Sequence, residues 1–241
     1  MADILAVNNL QKNFGRLVAV DDLSFEVREG EILGMMGPNG AGKTTVFNLL
    51  TGIIKPDGGS ITFKGKEITQ ESPSGRCHLG LGRTYQIPQP FDKMSVFENL
   101  LVAAVHGGGL RERQARGEIY DNLEMIGLFA KKNELAGGLP LLDRKRLELG
   151  RALATRPGLI LLDEVAGGLT EAETEQVLEI VKQIQESGIS IIWIEHIMMM
   201  MSEGVNRLLV ISEGRWLKCG HPGEVMCSEE VLECYLGVEE E

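Results

Sequence analysis

Three short apolar runs stand out in the 241-residue chain, at positions 32–36, 159–162 and 191–194. Uninterrupted apolar runs of this length are typical of strands that are buried on both faces, as in a parallel sheet. Each run ends abruptly, and the residues that follow are Gly37, Asp163, Glu164, Glu195 and His196. Because ligands of parallel α/β sheets bind outside the carboxyl ends of the strands, we expect these ends to form one site.

The remaining pattern predicts two further layers. Loose alternation over 17–28 and a short run over 60–65, preceded by a Pro-Asp-Gly-Gly turn, predict antiparallel strands beside the parallel sheet. From about residue 95 the apolar spacing becomes helical. The predicted fold class is α/β, with a mixed sheet that has a parallel core, an antiparallel β element and an α-helical insertion. We expect a single domain over 1–241, in which a helical subdomain occupies approximately 95–157.

The charge and the cysteine content of the chain disfavour a nucleic-acid binder and a zinc protein. The chain has 24 Lys and Arg against 35 Asp and Glu, a net charge of −11, which disfavours a nucleic-acid binder. Four scattered cysteines show no C-x-x-C spacing, which disfavours a zinc site and favours a reducing compartment. No apolar run approaches the ~20 residues of a membrane span, and no signal peptide is visible. We therefore expect a cytoplasmic protein, and we expect the acidic ending Glu239–Glu241 to be a solvated tail.

Residues 37–44 fit the pattern G-x-x-x-x-G-K-S/T without a mismatch, after a buried run and before a helix predicted at 45–50. Glycines let the backbone approach phosphate oxygens, and the helix N-terminus supplies N–H groups and positive charge. Lys43 would reach the β- and γ-phosphates, and Thr44 would ligate Mg²⁺. The sequence predicts a P-loop NTPase core, whose nucleotide-binding residues are Gly37, Pro38, Asn39, Gly40, Ala41, Gly42, Lys43, Thr44 and Thr45.

Two acidic residues complete the chemistry of such a site. Asp163 ends its apolar run 119 residues after Thr44, as a Mg²⁺-organising aspartate should. Glu164 beside it is a candidate general base, which would polarise a water for attack on the γ-phosphate. No N-K-x-D guanine signature occurs, which disfavours a GTPase. Small-molecule kinases share the phosphate loop, but nothing in the sequence specifies an acceptor.

Further segments carry a family resemblance. They are Phe14-Gly15 with Ala19-Val20, Gly82-Arg83-Thr84-Tyr85-Gln86, Ser95-Val96-Phe97-Glu98-Asn99-Leu100, Leu161-Leu162-Asp163-Glu164, Ile194-Glu195-His196 and Tyr235-Leu236-Gly237. With the phosphate loop, and in this order, they resemble those of an ABC-transporter ATP-binding subunit over nearly the whole chain. More narrowly, the chain resembles the ATPases of branched-chain amino acid uptake systems.

The resemblance implies residue roles, ligands and partners. It matches Phe14 to an aromatic ring that stacks on adenine, and His196 to a switch histidine at the γ-phosphate. It matches Gln86 to a glutamine that contacts Mg²⁺ and the attacking water and links the site to the membrane partner. Catalysis would then depend on Glu164, His196, Gln86 and Lys43, with Mg²⁺ held by Thr44, Gln86 and Asp163.

The implied cofactors are ATP and Mg²⁺, with no other metal. The implied partners are transmembrane permease subunits and a second ATP-binding subunit, in a homo- or heterodimer.

The chain departs from the family at one element. In this family the second subunit offers L-S-G-G-Q, or a similar signature, to the γ-phosphate. Counting back 12 residues from Arg151, or 24 from Asp163, gives the same start, so the aligned residues are Leu139, Pro140, Leu141, Leu142 and Asp143. Proline has no N–H and leucine crowds the backbone, so this signature should be degenerate. An alternative is that Gly137-Gly138 acts through a shifted loop. A smaller departure is Val165, where the family has proline.

Two other segments are of interest. Residues 87–94, which combine prolines with apolar side chains after Gln86, are a candidate docking segment for the membrane partner; an ordinary buried loop is the alternative. The four methionines Met198–Met201 are predicted to begin a helix, with some packed against the sheet and the rest partly exposed. An adaptable interaction surface is the alternative for the methionines.

We expect an ATP-hydrolysing subunit, peripheral on the inner face of the cell membrane, that energises an importer for branched-chain amino acids or related small solutes. A nucleotide-binding regulatory subunit with weak turnover is an alternative that Pro140 and Leu142 motivate, and against which Glu164 and His196 argue. The ATPase of a lipid or lipopolysaccharide exporter is a further alternative, because it shares most of these motifs.

Overall fold

The computed structural model describes residues 2–236, so Met1, Gly237 and the tail Glu239–Glu241 lie outside the described residues. The strands are β1 (Asp3–Phe14), β2 (Leu17–Arg28), β3 (Ile32–Met36), β4 (Gly58–Phe63), β5 (Lys66–Glu67), β6 (Leu81–Arg83), β7 (Leu159–Asp163), β8 (Ser190–Ile194), β9 (Arg207–Ser212) and β10 (Arg215–Gly220). The α-helices are α1 (Lys43–Leu50), α2 (Pro73–His78), α3 (Val96–Val102), α4 (Glu112–Met125), α5 (Leu141–Ala154), α6 (Glu171–Glu186), α7 (Met198–Glu203), α8 (Pro222–Met226) and α9 (Glu229–Leu236).

The chain divides into two compact units. Unit one joins the part up to Pro73 to the part from Ser190 onward. Unit two is the continuous segment Ser74–Ile189. The phosphate loop therefore belongs to unit one, whereas Asp163 and the signature segment belong to unit two.

The sheet that carries the phosphate loop in unit one is mixed. Strand β3 lies between β8 and β9 and is parallel to both, while β10 is antiparallel to β9. Every residue of β3 and β8 is buried, which is why the sequence shows these strands as apolar runs. In the register, Met35 lies opposite Ile194 and Met36 opposite Val210. The prediction of parallel strands at 32–36 and 191–194 is confirmed.

A second sheet of unit one is antiparallel, with the strand order β2-β1-β4-β5. Strands β1 and β2 form a hairpin in which Phe14 lies opposite Leu17, and Gly15 takes a φ of +61° in the turn between them. On the other edge of β1, Asn8 pairs with Ser60 of β4. The predicted antiparallel β element is therefore confirmed, and its first strand starts earlier than the alternation at 17–28.

Unit two combines the parallel strands β6 and β7 with helices. Arg83 lies opposite Leu161 in the parallel pair. Helices α3, α4 and α5 contact one another, and Leu100, Ile119 and Leu147 are buried in this packing. A π-helical turn over Ala103–Gly107 extends α3. The predicted helical pattern from residue 95 is confirmed, while the subdomain limits of 95–157 stay a prediction.

The methionine run begins α7, as predicted. Met200 and Met201 are fully buried, whereas Met198 is 55% exposed. Within residues 2–236, no helix combines the length and the apolar content that crossing a membrane requires.

Helix α6 provides a test of the local signals that define this fold. Thr170 and Glu173 form a capping box at its N-terminus, in which the Thr170 hydroxyl accepts from the Glu173 N–H. We expect Thr170→Ala to lower the free energy of unfolding by about 1 kcal/mol, because it removes the cap. Thr170→Ser, which keeps the hydroxyl, is the control and should lose little. Chemical denaturation of the full chain measures both, and equal losses would contradict the role of the cap.

The same cap gives a pH dependence. The Thr170 N–H and hydroxyl hydrogen-bond to Glu173 and lower the pKa of its carboxyl from the ordinary 4.5. A lowered pKa in the folded state stabilises the protein above the unfolded-state value and loses this effect as pH falls through the folded value. The difference between wild type and Thr170→Ala should therefore shrink as pH falls below 4.5.

Candidate nucleotide-binding and hydrolysis site

The phosphate loop, residues 37–42, connects the buried end of β3 to the first turn of α1. Gly42 is the N-cap of α1, with a φ of +98° that disfavours any residue with a Cβ. A Cβ on Gly42 would overlap the carbonyl oxygen of Ala19, and a Cβ on Gly37 would overlap that of Ile211. The packing of the loop against β2 and β9 therefore requires glycine at both positions.

Gly40 differs from these two glycines. A Cβ built there meets no atom of residues 2–236 within 4 Å, although the φ of +84° is again positive. Around it, the Lys43 ammonium donates to the carbonyl oxygens of Gly37 at 2.6 Å and of Pro38 at 3.0 Å. The Ala41 N–H donates to the Pro38 carbonyl at 3.1 Å. The loop thus combines open space at Gly40 with a buried, hydrogen-bonded ammonium, which fits an anionic ligand.

The first turn of α1 adds the groups that the sequence predicts for a phosphate. Its N-cap residue, Gly42, has no side chain that could cap the first amides, and no acidic residue occurs in the first turn. The first amides of an α-helix have no intrahelical acceptor, so they present N–H groups and the positive end of the helix dipole. Thr44 is exposed and Thr45 half-buried, so the Thr44 hydroxyl is accessible for a hard cation.

His196 lies at the same edge of the sheet as the phosphate loop. It follows Ile194, the residue of β8 that lies opposite Met35, and its imidazole is exposed. The His196 N–H donates to the buried Glu195 carboxylate at 3.2 Å. Two of the three strand ends that we expect to form one site, those of β3 and β8, therefore lie side by side in unit one.

Phe14 ends β1 on the antiparallel sheet. Its ring is 49% exposed, and the Lys12 ammonium lies 5.7 Å from the ring centroid. The ring is not part of the core, which leaves its face accessible for stacking.

Asp163 ends β7 in unit two with a buried carboxylate. Its Oδ2 accepts from the Arg83 guanidinium at 3.0 Å, and its backbone N–H donates to the Thr84 hydroxyl at 3.2 Å. Sequence reasoning gave Arg83 no role, because the ion pair joins residues that are 80 positions apart. The pair holds Asp163 through one carboxylate oxygen, and carboxylate oxygen is a ligand type that Mg²⁺ prefers.

Glu164 and Gln86 are in direct contact. The Gln86 side-chain amide donates to the Glu164 carboxylate across 78 positions of sequence. Glu164 also has a φ of +46°, which is uncommon for a residue with a Cβ. The structure thus brings together the predicted base and the predicted water-orienting glutamine within unit two.

The signature segment begins α5. Pro140 is the N-cap of the helix and makes no side-chain cap hydrogen bond, and Leu141 in the first turn is 43% exposed. Asp143 is buried, and its carboxylate accepts from Lys131 and, at 3.5 Å, from Arg146. Asp143 is therefore the buried centre of an ion cluster, which the alignment to a signature residue did not predict.

The alternative signature, Gly137-Gly138, lies in a 3-10 turn before α5. The Gly137 N–H donates to the Asp92 carbonyl at 3.1 Å, and the Gly138 N–H donates to Leu135 at 3.1 Å. Arg144 donates to the Gly137 carbonyl at 2.6 Å. Because these amides are used within the chain, the geometry does not favour the alternative in which they contact a phosphate.

Lys145 on α5 is a further residue that sequence reasoning missed. Its side chain is 3% exposed, and its ammonium donates to the carbonyl oxygens of Gln86 at 2.6 Å and of Glu164 at 3.1 Å. A lysine in a helix is usually solvated, so no local signal distinguishes this one.

Comparisons with known proteins show the family of the chain. The family model of the ABC transporters matches residues 20–167. The chain is 39% identical to the high-affinity branched-chain amino acid transport ATP-binding protein LivG of Salmonella typhimurium, over 97% of this chain and 98% of that protein. It is 34% identical to the lipopolysaccharide export system ATP-binding protein LptB of Acidithiobacillus ferridurans, over 98% of each chain.

Solved structures show the same fold. The ADP conformation of MJ1267, an ATP-binding cassette of an ABC transporter, superimposes with a TM-score of 0.91 at 31% identity, over 98% of this chain and all of that one. The fold and the phosphate loop define a P-loop NTPase. The chain belongs to the ABC transporter family, as one of its ATP-binding, ATP-hydrolysing subunits.

The glycines of the phosphate loop give a matched test. Gly42→Ala places a methyl group against the Ala19 carbonyl, so we expect a lower thermal midpoint and at least about tenfold weaker ATP binding, since ~1.4 kcal/mol suffices for this loss. The control is Gly188→Ala. Gly188 has a comparable φ of +92° but no atom within 4 Å of the new Cβ. Calorimetry and nucleotide titration measure both variants. Equal loss of stability in the two would show that the Ala19 contact is unimportant.

Proposed function

We propose that this chain binds ATP with Mg²⁺ on the inner face of the cell membrane and hydrolyses it to energise an importer for branched-chain amino acids or related small solutes. The observation that carries the catalytic part is the contact between Gln86 and the Glu164 carboxylate. The 39% identity to LivG supports the solute class, and it exceeds the 34% identity to LptB, which represents the exporter alternative.

Nucleotide binding is assigned to unit one and to Asp163. Lys43 and the first amides of α1 would bind the phosphates, with Asn39 and Thr45 beside them, and Phe14 would stack on the adenine. Thr44, Gln86 and Asp163 would hold Mg²⁺, which neutralises charge on the phosphate oxygens when it is bound.

Hydrolysis is assigned to four side chains. Glu164 accepts a proton from the attacking water as general base, and Gln86 orients that water through its side-chain amide. His196 stabilises the γ-phosphate charge by hydrogen bonding. Lys43 stabilises the same charge from the loop. The hydrogen bond between Gln86 and Glu164 couples the base to the residue that also faces the membrane partner in this assignment.

The proposed assembly is a dimer of ATP-binding subunits that acts on permease subunits. Residues 87–94 form the docking segment for the permease subunits. Ile87 and Phe91 in that segment are exposed, as a docking surface requires.

With Pro140 and Leu142 in place of serine and glycine, this chain would complete a partner's site poorly. A heterodimer, in which the partner's signature completes this subunit's site, accounts for the retained catalytic residues. We take residues 1–241 as one catalytic domain with a helical subdomain at 95–157.

Replacement of the base tests the function. We expect Glu164→Gln to reduce ATP turnover by about a hundredfold or more, within the 10²–10⁴-fold range of general-base catalysis, while ATP binding is kept. The amide retains the size of the side chain but accepts no proton. Glu175→Gln, an exposed change on α6, is the control and should leave turnover unchanged. Steady-state ATPase assays and nucleotide titration separate the two effects.

The same assay separates the alternatives. In a heterodimer, the corresponding glutamate-to-glutamine change in the partner should cost little activity, because the site opposite is completed by Leu139–Asp143. If the Glu164 change leaves most of the activity, the assignment of the base is wrong. Absence of hydrolysis with any partner would favour the regulatory subunit, and copurification with lipid-export permeases would favour the exporter.

A further inference from the structure

Helix α5 carries a row of charged side chains on one face. Lys145, Glu148 and Arg151 follow one another at intervals of three residues, so they lie along one side of the helix. Lys145 is 3% exposed and Glu148 is 6% exposed. Buried charges are costly unless they are hydrogen-bonded, so their partners indicate what this face holds in place.

Each of the three has a partner in residues 85–91, the segment that contains Gln86. Glu148 accepts a hydrogen bond from the Tyr85 N–H, and burial raises the pKa of its carboxyl. Arg151 donates to the Gln89 carbonyl at 2.8 Å and to Glu148 at 2.9 Å. The Arg151 guanidinium also lies 5.3 Å from the centroid of the Phe91 ring.

Lys145 differs from the other two because it also contacts the predicted base. Its ammonium donates to the carbonyl oxygens of Gln86 at 2.6 Å and of Glu164 at 3.1 Å. The side chains of the same two residues are hydrogen-bonded to each other. Gln86 and Glu164 are therefore joined twice, once directly and once through the backbone by Lys145.

We propose that Lys145 is a positioning residue for ATP hydrolysis, whose ammonium fixes the backbones of Gln86 and Glu164 so that the amide and the carboxylate meet at the attacking water. Lys145 acts through these two residues, and the inference rests on the proposed role of Glu164 as base. Catalytic geometry is sensitive to small displacements, and a shift of about 1 Å can cost about a hundredfold in rate. Loss of the ammonium should thus reduce kcat and leave ATP binding largely intact, because unit one carries the phosphate loop.

The test uses the full-length chain copurified with its transporter subunits, with ATP as the probe. We expect Lys145→Met to lower kcat at least about tenfold, with KM and the ATP dissociation constant changed less than about twofold. Lys145→Arg keeps a cationic donor and should restore a substantial part of kcat. Lys55→Met, at an exposed position of unit one, is the control for loss of a lysine and should resemble wild type.

A double-mutant cycle distinguishes positioning from general stability. Because Lys145 acts partly through Gln86, Lys145→Met should cost less activity in a Gln86→Ala background than in the wild type. Hydrogen exchange gives a readout that needs no turnover. Amides around Gln86 and around Glu164 should exchange faster in Lys145→Met, while the remainder of the chain is unchanged. Additive losses, uniformly faster exchange, or a fall in ATP affinity in proportion to kcat would overturn the inference.

The outcomes also separate this inference from the proposed function. If Glu164→Gln abolishes turnover while Lys145→Met keeps more than half of kcat, only the role of Lys145 is refuted. If Glu164→Gln retains most of the turnover, the assignment of the base fails, whatever the Lys145 variants do.

Discussion

The burial of β3 between two parallel neighbours determines most of what unit one can do. Because β8 and β9 both pair with it and all of its side chains are buried, the end of β3 has a fixed position. The chain must leave that end through a tight loop, and the loop packs against backbone carbonyls of β2 and β9. His196 leaves the neighbouring strand at the same edge. The placement of an ammonium, helix amides and an imidazole at one edge is thus a result of sheet packing.

In unit two, a helix has the corresponding role. Helix α5 begins at the signature segment and places its buried charges against the segment that contains Gln86. Desolvated charges stabilise a structure only when their partners are well placed, so this face tolerates little variation in the position of the segment. Helix α5 therefore contacts both the predicted docking segment and the residues that are predicted to carry out hydrolysis. A displacement of the docking segment would reach those residues through this helix, without a mobile linker.

The elements that could be predicted from the sequence are those specified by neighbouring residues. The apolar runs give β3, β7 and β8 nearly to the residue, and the phosphate-loop pattern gives α1, which begins at Lys43, two residues before the predicted start at 45. Contacts between distant positions were not predictable. The pairing of Arg83 with Asp163 joins positions 80 apart, and the contacts of Lys145 involve backbone carbonyls, which every residue has. Alignment placed Asp143 in a signature, but nearby cations at 131 and 146 engage its carboxylate.

The backbone at Glu164 has one further consequence. A glutamate at a φ of +46° is strained, and such strain costs on the order of 1–3 kcal/mol where glycine or asparagine would sit more easily. The most stable residue for this turn is therefore not one that can take a proton from water. Under the proposed role of Glu164 as the base, a substitution that relieves this strain would stabilise the fold and remove turnover.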